Sequence, residues 1–306
     1  MRVAAVDCGT NSIRLLVADL DGAEKKDVHR EMRVVRLGEG VDRTGVLAPA
    51  ALARTREAAL DYAATCRDLG AERTRFVATS ATRDAANRGD FVALVQDAFG
   101  LEPEVVSGDE EAALSFLGAT RGLVAEPPFL VVDIGGGSTE LVLGTDRVRA
   151  AASVDVGCVR LTERHLRSDP PTAEQVAAAR ADVEAALARA EQVVPVAEAR
   201  TTVGLAGSVT TVAALALGLP SYQPDRIHLS RVSARDVREV TERLLAMTRA
   251  ERAALPVMHP GRVDVIGGGA LVLLALVERF GLEEVLVSEA DILDGIALSV
   301  LSAPAP

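Results

Sequence analysis

Two stretches of the chain end an apolar run in aspartate and follow it with glycine and small hydroxyl residues: Val3-Ala4-Ala5-Val6-Asp7-Cys8-Gly9-Thr10-Asn11-Ser12 and Phe129-Leu130-Val131-Val132-Asp133-Ile134-Gly135-Gly136-Gly137-Ser138. Residues of this kind let backbone N–H groups and hydroxyls meet a phosphate without a Cβ in the way. Asp7 and Asp133 stand where carboxylates hold Mg²⁺, directly or through water, when a substrate supplies phosphate oxygens. One copy alone reads equally well as a tight hairpin turn, and one Asp as a turn cap. Two copies with matching Asp and Ser positions favour the phosphate reading. No Lys follows the glycines, so neither copy is a Walker loop. Gly135-Gly136-Gly137 leads into a strand and not a helix, which excludes a dinucleotide fingerprint.

Three further segments carry candidate chemistry. In Ser107-Gly108-Asp109-Glu110-Glu111-Ala112 the spacing predicts a helix start, with Ser107 as cap and Glu110 closing a capping box. Glu111 is then either an ordinary solvated carboxylate or a general base for an attacking water near backbone donors. Arg83, in Thr79-Ser80-Ala81-Thr82-Arg83-Asp84, either forks onto phosphate oxygens or pairs with Asp84 or Asp90 at the surface. Gly204-Leu205-Ala206-Gly207-Ser208 leads into a helix, so Gly207 and Ser208 suit another phosphate or close packing. The four histidines show no ligand spacing.

The elements that must position these groups repeat as well. Each half is expected to open with a β-hairpin, its second strand at Ile13–Ala18 or Leu141–Leu143. Helices are expected at Pro49–Leu69, with Leu52, Leu60, Ala63 and Ala64 on a buried stripe, and at Thr172–Gln192, Ala234–Met247 and Ala270–Phe280. Short strands are expected at Arg75–Ala78 and Glu104–Val106. Sheets covered by helices make the class α/β. The turn-rich stretch Gly122–Pro128 places a boundary near Glu126, giving domains 1–125 and 126–289.

Bulk composition narrows the function. At 306 residues two domains are the better expectation. A net charge of -11 disfavours nucleic acid and anionic membrane as partners, and aromatics at 3% without Trp leave little for base stacking. Cys8, Cys66 and Cys158 form no C-x-x-C pair, which fits a reducing cytoplasm and suggests neither disulfides nor zinc. The apolar runs are too short for a signal peptide or a membrane span.

The motifs, in this order and over nearly the whole chain, resemble the exopolyphosphatase and guanosine pentaphosphate phosphatase family, a branch of the superfamily of sugar kinases, actin and heat-shock chaperones. The most specific parts are Asp7 to Ser12, Thr79-Ser80-Ala81 with Arg83 and Asn87, Ser107-Gly108 with Glu110-Glu111-Ala112, and Asp133 to Glu140. Gly157-Cys158-Val159-Arg160-Leu161-Thr162-Glu163 and Asp291-Ile292-Leu293-Asp294-Gly295 add support. The resemblance implies two actin-like (ribonuclease H-like) domains with an active-site cleft between them, and a last helix at about 290–303 packing back on the first. It implies Mg²⁺-dependent (or Mn²⁺-dependent) removal of terminal phosphate from inorganic polyphosphate. Glu111 would activate the water and Arg83 contact phosphate. Asp133 would lie at the metal with Asp7 and Glu140 as further candidate ligands. Gly9, Thr10, Asn11, Ser12, Gly135, Gly136, Gly137 and Ser138 would hold phosphate, with Gly207 and Ser208 as a third contact.

Two departures stand out: Gly204-Leu205-Ala206-Gly207-Ser208 where the family commonly has Gly-Thr-Ala-Gly-Thr, and a Gly267-Gly268-Gly269-Ala270 loop where it often has Val-Ala-Gly-Ala. Rival readings are a guanosine pentaphosphate phosphohydrolase, a kinase on the same fold, or a nucleotide-binding assembly protein; a homodimer is a candidate assembly. The chain stops shortly after the helix expected at 291–301, so short substrates and distributive action are expected.

Overall fold

The computed structural model describes residues 1–22 and 24–300. It forms two units, Met1–Gly118 together with the segment from Ile292, and Ala119–Asp291. The first contains β1 (Arg2–Cys8), β2 (Ser12–Asp21), β3 (Glu24–Val34), α1 (Val41–Thr44), α2 (Pro49–Asp68), β4 (Arg73–Ala78), α3 (Ser80–Asp84), α4 (Arg88–Phe99), β5 (Glu104–Val105) and most of α5 (Gly108–Thr120). The second contains β6 (Phe129–Ile134), β7 (Thr139–Gly144), β8 (Val148–Val154), α6 (Cys158–His165), α7 (Ala173–Glu191), β9 (Thr201–Leu205), α8 (Ala206–Ala216), α9 (Pro224–Ile227), β10 (Arg231–Ser233), α10 (Ala234–Ala246), α11 (Arg249–Ala253), α12 (Ile266–Arg279) and β11 (Glu284–Val287). The last helix, α13 (Ile292–Ser299), belongs to the first unit; of the helix expected at about 290–303, residues 301–303 lie outside the described residues.

Both sheets are built on one plan. The first runs β3-β2-β1-β4-β5 and the second β8-β7-β6-β9-β11, extended by the antiparallel edge strand β10. In each, the opening strand pairs antiparallel with the next and parallel with the fourth. Central strands flanked on both faces must be apolar throughout. Accordingly β6 is buried along its whole length, as is β1 from Val3 to Cys8. Alternate residues of β1 serve different layers. Ala4, Val6 and Cys8 pack with Ala58, Ala59 and Tyr62 of α2, whereas Val3 and Ala5 pack with Leu114 of α5 and Ile296 of α13.

Two expectations about helices are corrected. In α2 the buried stripe is Ala51, Thr55, Ala58, Ala59, Tyr62, Ala63 and Cys66, while Leu60 is 46% exposed. Apart from Tyr62 the inner face is made of small residues, so the leucines were a poor guide to it. Gly267-Gly268-Gly269 is no loop: it is the buried first turn of α12. The glycines are there because a Cβ on Gly268 would sit 2.7 Å from Thr162 Oγ1 of α6, and one on Gly269 2.1 Å from Ser208 Oγ of α8. No helix among the described residues is long and apolar enough to cross a membrane.

Helix α13 is fixed on the first unit by charge and by contact. Asp294, 2% exposed, accepts hydrogen bonds from Lys25 Nζ (3.0 Å) and Arg30 Nη2 (2.7 Å). At Gly295 the helix presses on α5 so closely that a Cβ would lie 1.9 Å from Leu114 O and 3.2 Å from Gly118 N. Gly295→Ala is therefore expected to cost about 1–3 kcal/mol through backbone displacement, read as a lowered urea midpoint. An unaltered midpoint would mean the contact is not built as described.

Candidate active site

Both glycine loops close with the same hydrogen bond: Gly9 N–H donates to Ser12 O at 3.0 Å, and Gly135 N–H to Ser138 O at 3.0 Å. Two further carbonyls of each loop are engaged from outside by the segment after the third strand of the same sheet. Thr10 O accepts from Gly38 N (2.8 Å), and Asn11 O from Val35 N (3.1 Å) and Arg36 N (2.9 Å). In the second unit Gly135 O accepts from Cys158 N (3.0 Å), and Gly136 O from Val159 N (2.9 Å) and Arg160 N (3.1 Å). With the carbonyls so engaged, the N–H groups of Thr10, Gly136 and Gly137 donate to no backbone acceptor among the described residues. Ser138, 1% exposed, has an Oγ with no hydrogen-bond partner, a cost of about 1–3 kcal/mol unless a ligand supplies one. Each loop is thus a cradle of donors suited to an anion. The first is braced further by a 2.8 Å bond between the Thr10 and Ser80 hydroxyls.

The aspartates differ between the halves. Asp7 lies opposite Arg14 in the β1–β2 register, and its Oδ2 accepts from Arg14 Nε (2.9 Å) and Nη2 (2.6 Å). Asp133 lies opposite Glu140 in the β6–β7 register, both buried. Glu140 Oε1 accepts from Ser153 Oγ of β8 at 2.8 Å. Directly opposed residues in an antiparallel pair share a face with their Cβ atoms about 4.5–5.5 Å apart. Two carboxylates on one face are oxygen donors of the kind a hard divalent ion takes, with phosphate oxygens and water as its other ligands. No group of three or more potential metal ligands from His, Cys, Asp and Glu occurs among the described residues. Asp7 already has its cation in Arg14, a partner for which the motif gave no signal beyond its position five residues after Gly9.

The structure brings Glu111 and Arg83 together. Glu111 sits in the first turn of α5 with its N–H on Ser107 O, and its Oε2 accepts from Arg83 Nη1 at 2.9 Å. The same nitrogen donates to Val106 O at 3.0 Å. Glu111 is 8% exposed, so the ion pair is held largely out of water. Arg83, at the end of α3, is thus turned toward the start of α5. Ser107 Oγ does cap Glu110 N (3.2 Å), while the Glu110 carboxylate is taken by Arg75 Nη2 at 2.8 Å, an ion pair that outcompetes the reciprocal arm of the expected capping box.

Gly207 and Ser208 start α8, entered through Ala206 in a left-handed conformation (φ 67). Ser208 is buried against Gly269 of α12, and a Cβ on Gly207 would lie 2.3 Å from the Arg262 guanidinium carbon. Arg262, unsuspected from the sequence, donates to Thr211 Oγ1 at 3.3 Å and puts a cation over the start of α8. Leu205, where a hydroxyl was expected from the family pattern, is wholly buried in β9. Cys8 and Cys158 lie next to the two loops, and burial pushes both thiols up, which keeps them protonated and inert.

Comparison with known proteins places this arrangement. Residues 16–303 match the Ppx/GppA phosphatase family. The chain is 56% identical over 313 residues to Exopolyphosphatase 2 of Mycobacterium tuberculosis, covering 98% of each. The solved structure of an exopolyphosphatase-like protein superposes with TM-score 0.95 at 43% identity over 99% of both chains. That of the Aquifex aeolicus PPX-GPPA enzyme does so with TM-score 0.82 at 30% identity over 98% of this chain and 99% of the other. The two sheets of like order are those of the actin-like α/β fold, and the chain is an enzyme, a hydrolase that belongs to the Ppx/GppA phosphatase family.

Proposed function

We propose that this hydrolase is an exopolyphosphatase, releasing orthophosphate from the end of inorganic polyphosphate. The observation that carries the reading is the buried, unpartnered Ser138 hydroxyl in a loop with unengaged N–H groups, beside the opposed Asp133 and Glu140. Phosphoanhydride hydrolysis requires positioning and charge neutralisation more than covalent help. Thr10 N–H, Gly136 N–H, Gly137 N–H and Ser138 Oγ are assigned to phosphate oxygens. Asp133 and Glu140 would hold Mg²⁺, which when bound draws charge from those oxygens. Glu111 takes the proton of the attacking water. Its oxygen forms the new P–O bond as the bridging oxygen departs with the shortened chain. Arg83 orients Glu111 through their 2.9 Å contact, and a guanidinium is of the type that also takes a phosphate oxygen.

The aromatic content of 3% offers little for a guanine base, which favours polyphosphate over guanosine pentaphosphate. The net charge of -11 repels a polyanion away from the loops, beyond a Debye length of about 8 Å at physiological salt. Short chains and release after each cut follow from having few contacts. Gel electrophoresis of a defined long polyphosphate during partial digestion should give a ladder moving down uniformly. Full-length chains persisting beside free phosphate would mean processive action. Phosphate release compared across tripolyphosphate, long polyphosphate, guanosine pentaphosphate and ATP tests the substrate itself.

Glu111→Gln is expected to lower kcat by about 10²–10⁴ with KM nearly unchanged. Glu110→Gln should affect stability alone, and a reversed order of damage would reassign the base. Asp133→Asn is expected to raise the Mg²⁺ concentration needed for half-maximal rate. Asp7→Asn should instead lower thermal stability by leaving Arg14 without its carboxylate. Equal metal titrations for wild type and Asp133→Asn would remove Asp133 from the metal.

A further inference from the structure

The first cradle holds a pair of hydroxyls whose hydrogens do not balance. Thr10 Oγ1 and Ser80 Oγ lie 2.8 Å apart, in residues that are 7% and 3% exposed. Among the described residues neither hydroxyl has a second hydrogen-bond partner. A hydroxyl carries one donor hydrogen and two acceptor lone pairs. When one member donates to the other, the accepting hydroxyl keeps a hydrogen for which the described residues supply no acceptor. The pair is thus a buried donor with one O–H to spare, set in a loop suited to an anion.

Both flanks of Thr10 are built to hold its side chain in place. Strands β1 and β4 run parallel with Cys8 beside Ala78, and Thr79 N–H donates to Cys8 O at 3.2 Å, which brings the start of α3 next to the turn after β1. The Ser80 hydroxyl does not serve its own helix: α3 has no side-chain cap, and alanine is the better helix former. On the other flank Gly38 N–H donates to Thr10 O at 2.8 Å, and a Cβ on Gly38 would lie 2.3 Å from Thr10 Cγ2. Gly38 is not one of the left-handed glycines, so it answers to this contact and not to a backbone conformation. A β-branched side chain has few χ1 wells. With its methyl seated on Gly38 and its hydroxyl on Ser80, Thr10 is confined to one of them.

We propose that Ser80 and Gly38 are positioning residues for phosphate binding. Gly38 seats the Thr10 methyl, Ser80 O–H donates to Thr10 Oγ1, and the Thr10 hydrogen so released goes to the phosphate group that also takes Thr10 N–H. A hydroxyl that accepts one hydrogen bond is polarised into a better donor, which suits an anionic acceptor. The assignment rests on the polyphosphate reading of this loop and adds the two residues that aim it. Neither Ser80 nor Gly38 touches the substrate.

Calorimetric titration with tripolyphosphate in Mg²⁺, each substitution made in the slowly turning-over Glu111→Gln protein, tests this, with urea midpoints measured alongside. Thr10→Val keeps the shape and removes the hydroxyl, and should weaken binding about ten-fold, with Ser80→Ala weakening it about five-fold. The variant carrying both should bind no more weakly than Thr10→Val, because Ser80 acts through Thr10. Gly38→Ala should weaken binding about ten-fold; adding Thr10→Ser, which takes away the colliding methyl and keeps the hydroxyl, should restore affinity to within about two-fold of Thr10→Ser alone. With Glu111 intact the losses should appear in KM while kcat stays within about three-fold. A lowered urea midpoint with unchanged tripolyphosphate affinity in Ser80→Ala would make the hydroxyl bond purely structural and overturn the proposal. Additive losses when Thr10→Val and Ser80→Ala are combined, or a Gly38→Ala loss that Thr10→Ser leaves unrepaired, would overturn it too. Absence of tripolyphosphate binding by the Glu111→Gln parent would sink this proposal and the polyphosphate reading together. Binding by a chain that releases no phosphate from polyphosphate would sink the functional reading alone.

Discussion

A loop that offers backbone N–H groups to an anion must first dispose of its own carbonyl oxygens, because both belong to the same peptide units and the carbonyls repel what the N–H groups attract. The rest of this structure depends on that requirement. In each unit the third strand of the sheet delivers a segment whose N–H groups take the loop carbonyls, so the hairpin turn becomes a donor surface. The order of the strands is what brings that segment back beside the first turn. The apolar character of β1 and β6 in turn keeps those strands at the centre of their sheets.

A shared scaffold has been specialised by single side chains. The position across from the strand-end aspartate is Arg14 in one half and Glu140 in the other. One places a guanidinium on its aspartate, at 2.6 and 2.9 Å, and the other sets a second carboxylate across from it. The first half supplies the Arg83–Glu111 pair instead, through a short helix and the start of α5. The two copies of one plan thus carry different charged groups.

Much of this was legible in the sequence because the relevant signals are local. A strand-end Asp, glycines and a Ser define a turn within ten residues, and the repeat could be recognised by eye. The Glu111 helix announced itself through Ser107. What was not legible depends on register or on distant contacts. The Asp7–Arg14 pair is set by the hairpin alignment. Arg262 reaches Gly207 from far along the chain, and the glycines of α12 looked like a loop because their packing reason lies on α6 and α8. The inner face of α2 was misjudged for the opposite reason, since the eye follows leucines and that face is largely alanine.

Helices α6, α8 and α12 meet with almost nothing between their backbones: Gly268 lies against Thr162 and the Cys158 carbonyl, and Gly269 against Ser208. Close contact of this sort removes the slack that side chains usually provide. For sequence evolution the consequence is a block of positions that must change together or not at all, because enlarging any one of them displaces the starts of two helices at once. The Val-Ala-Gly-Ala pattern therefore cannot be set into this chain at 267–270 by itself: the Thr162 and Cys158 groups that face Gly268 would have to give way with it.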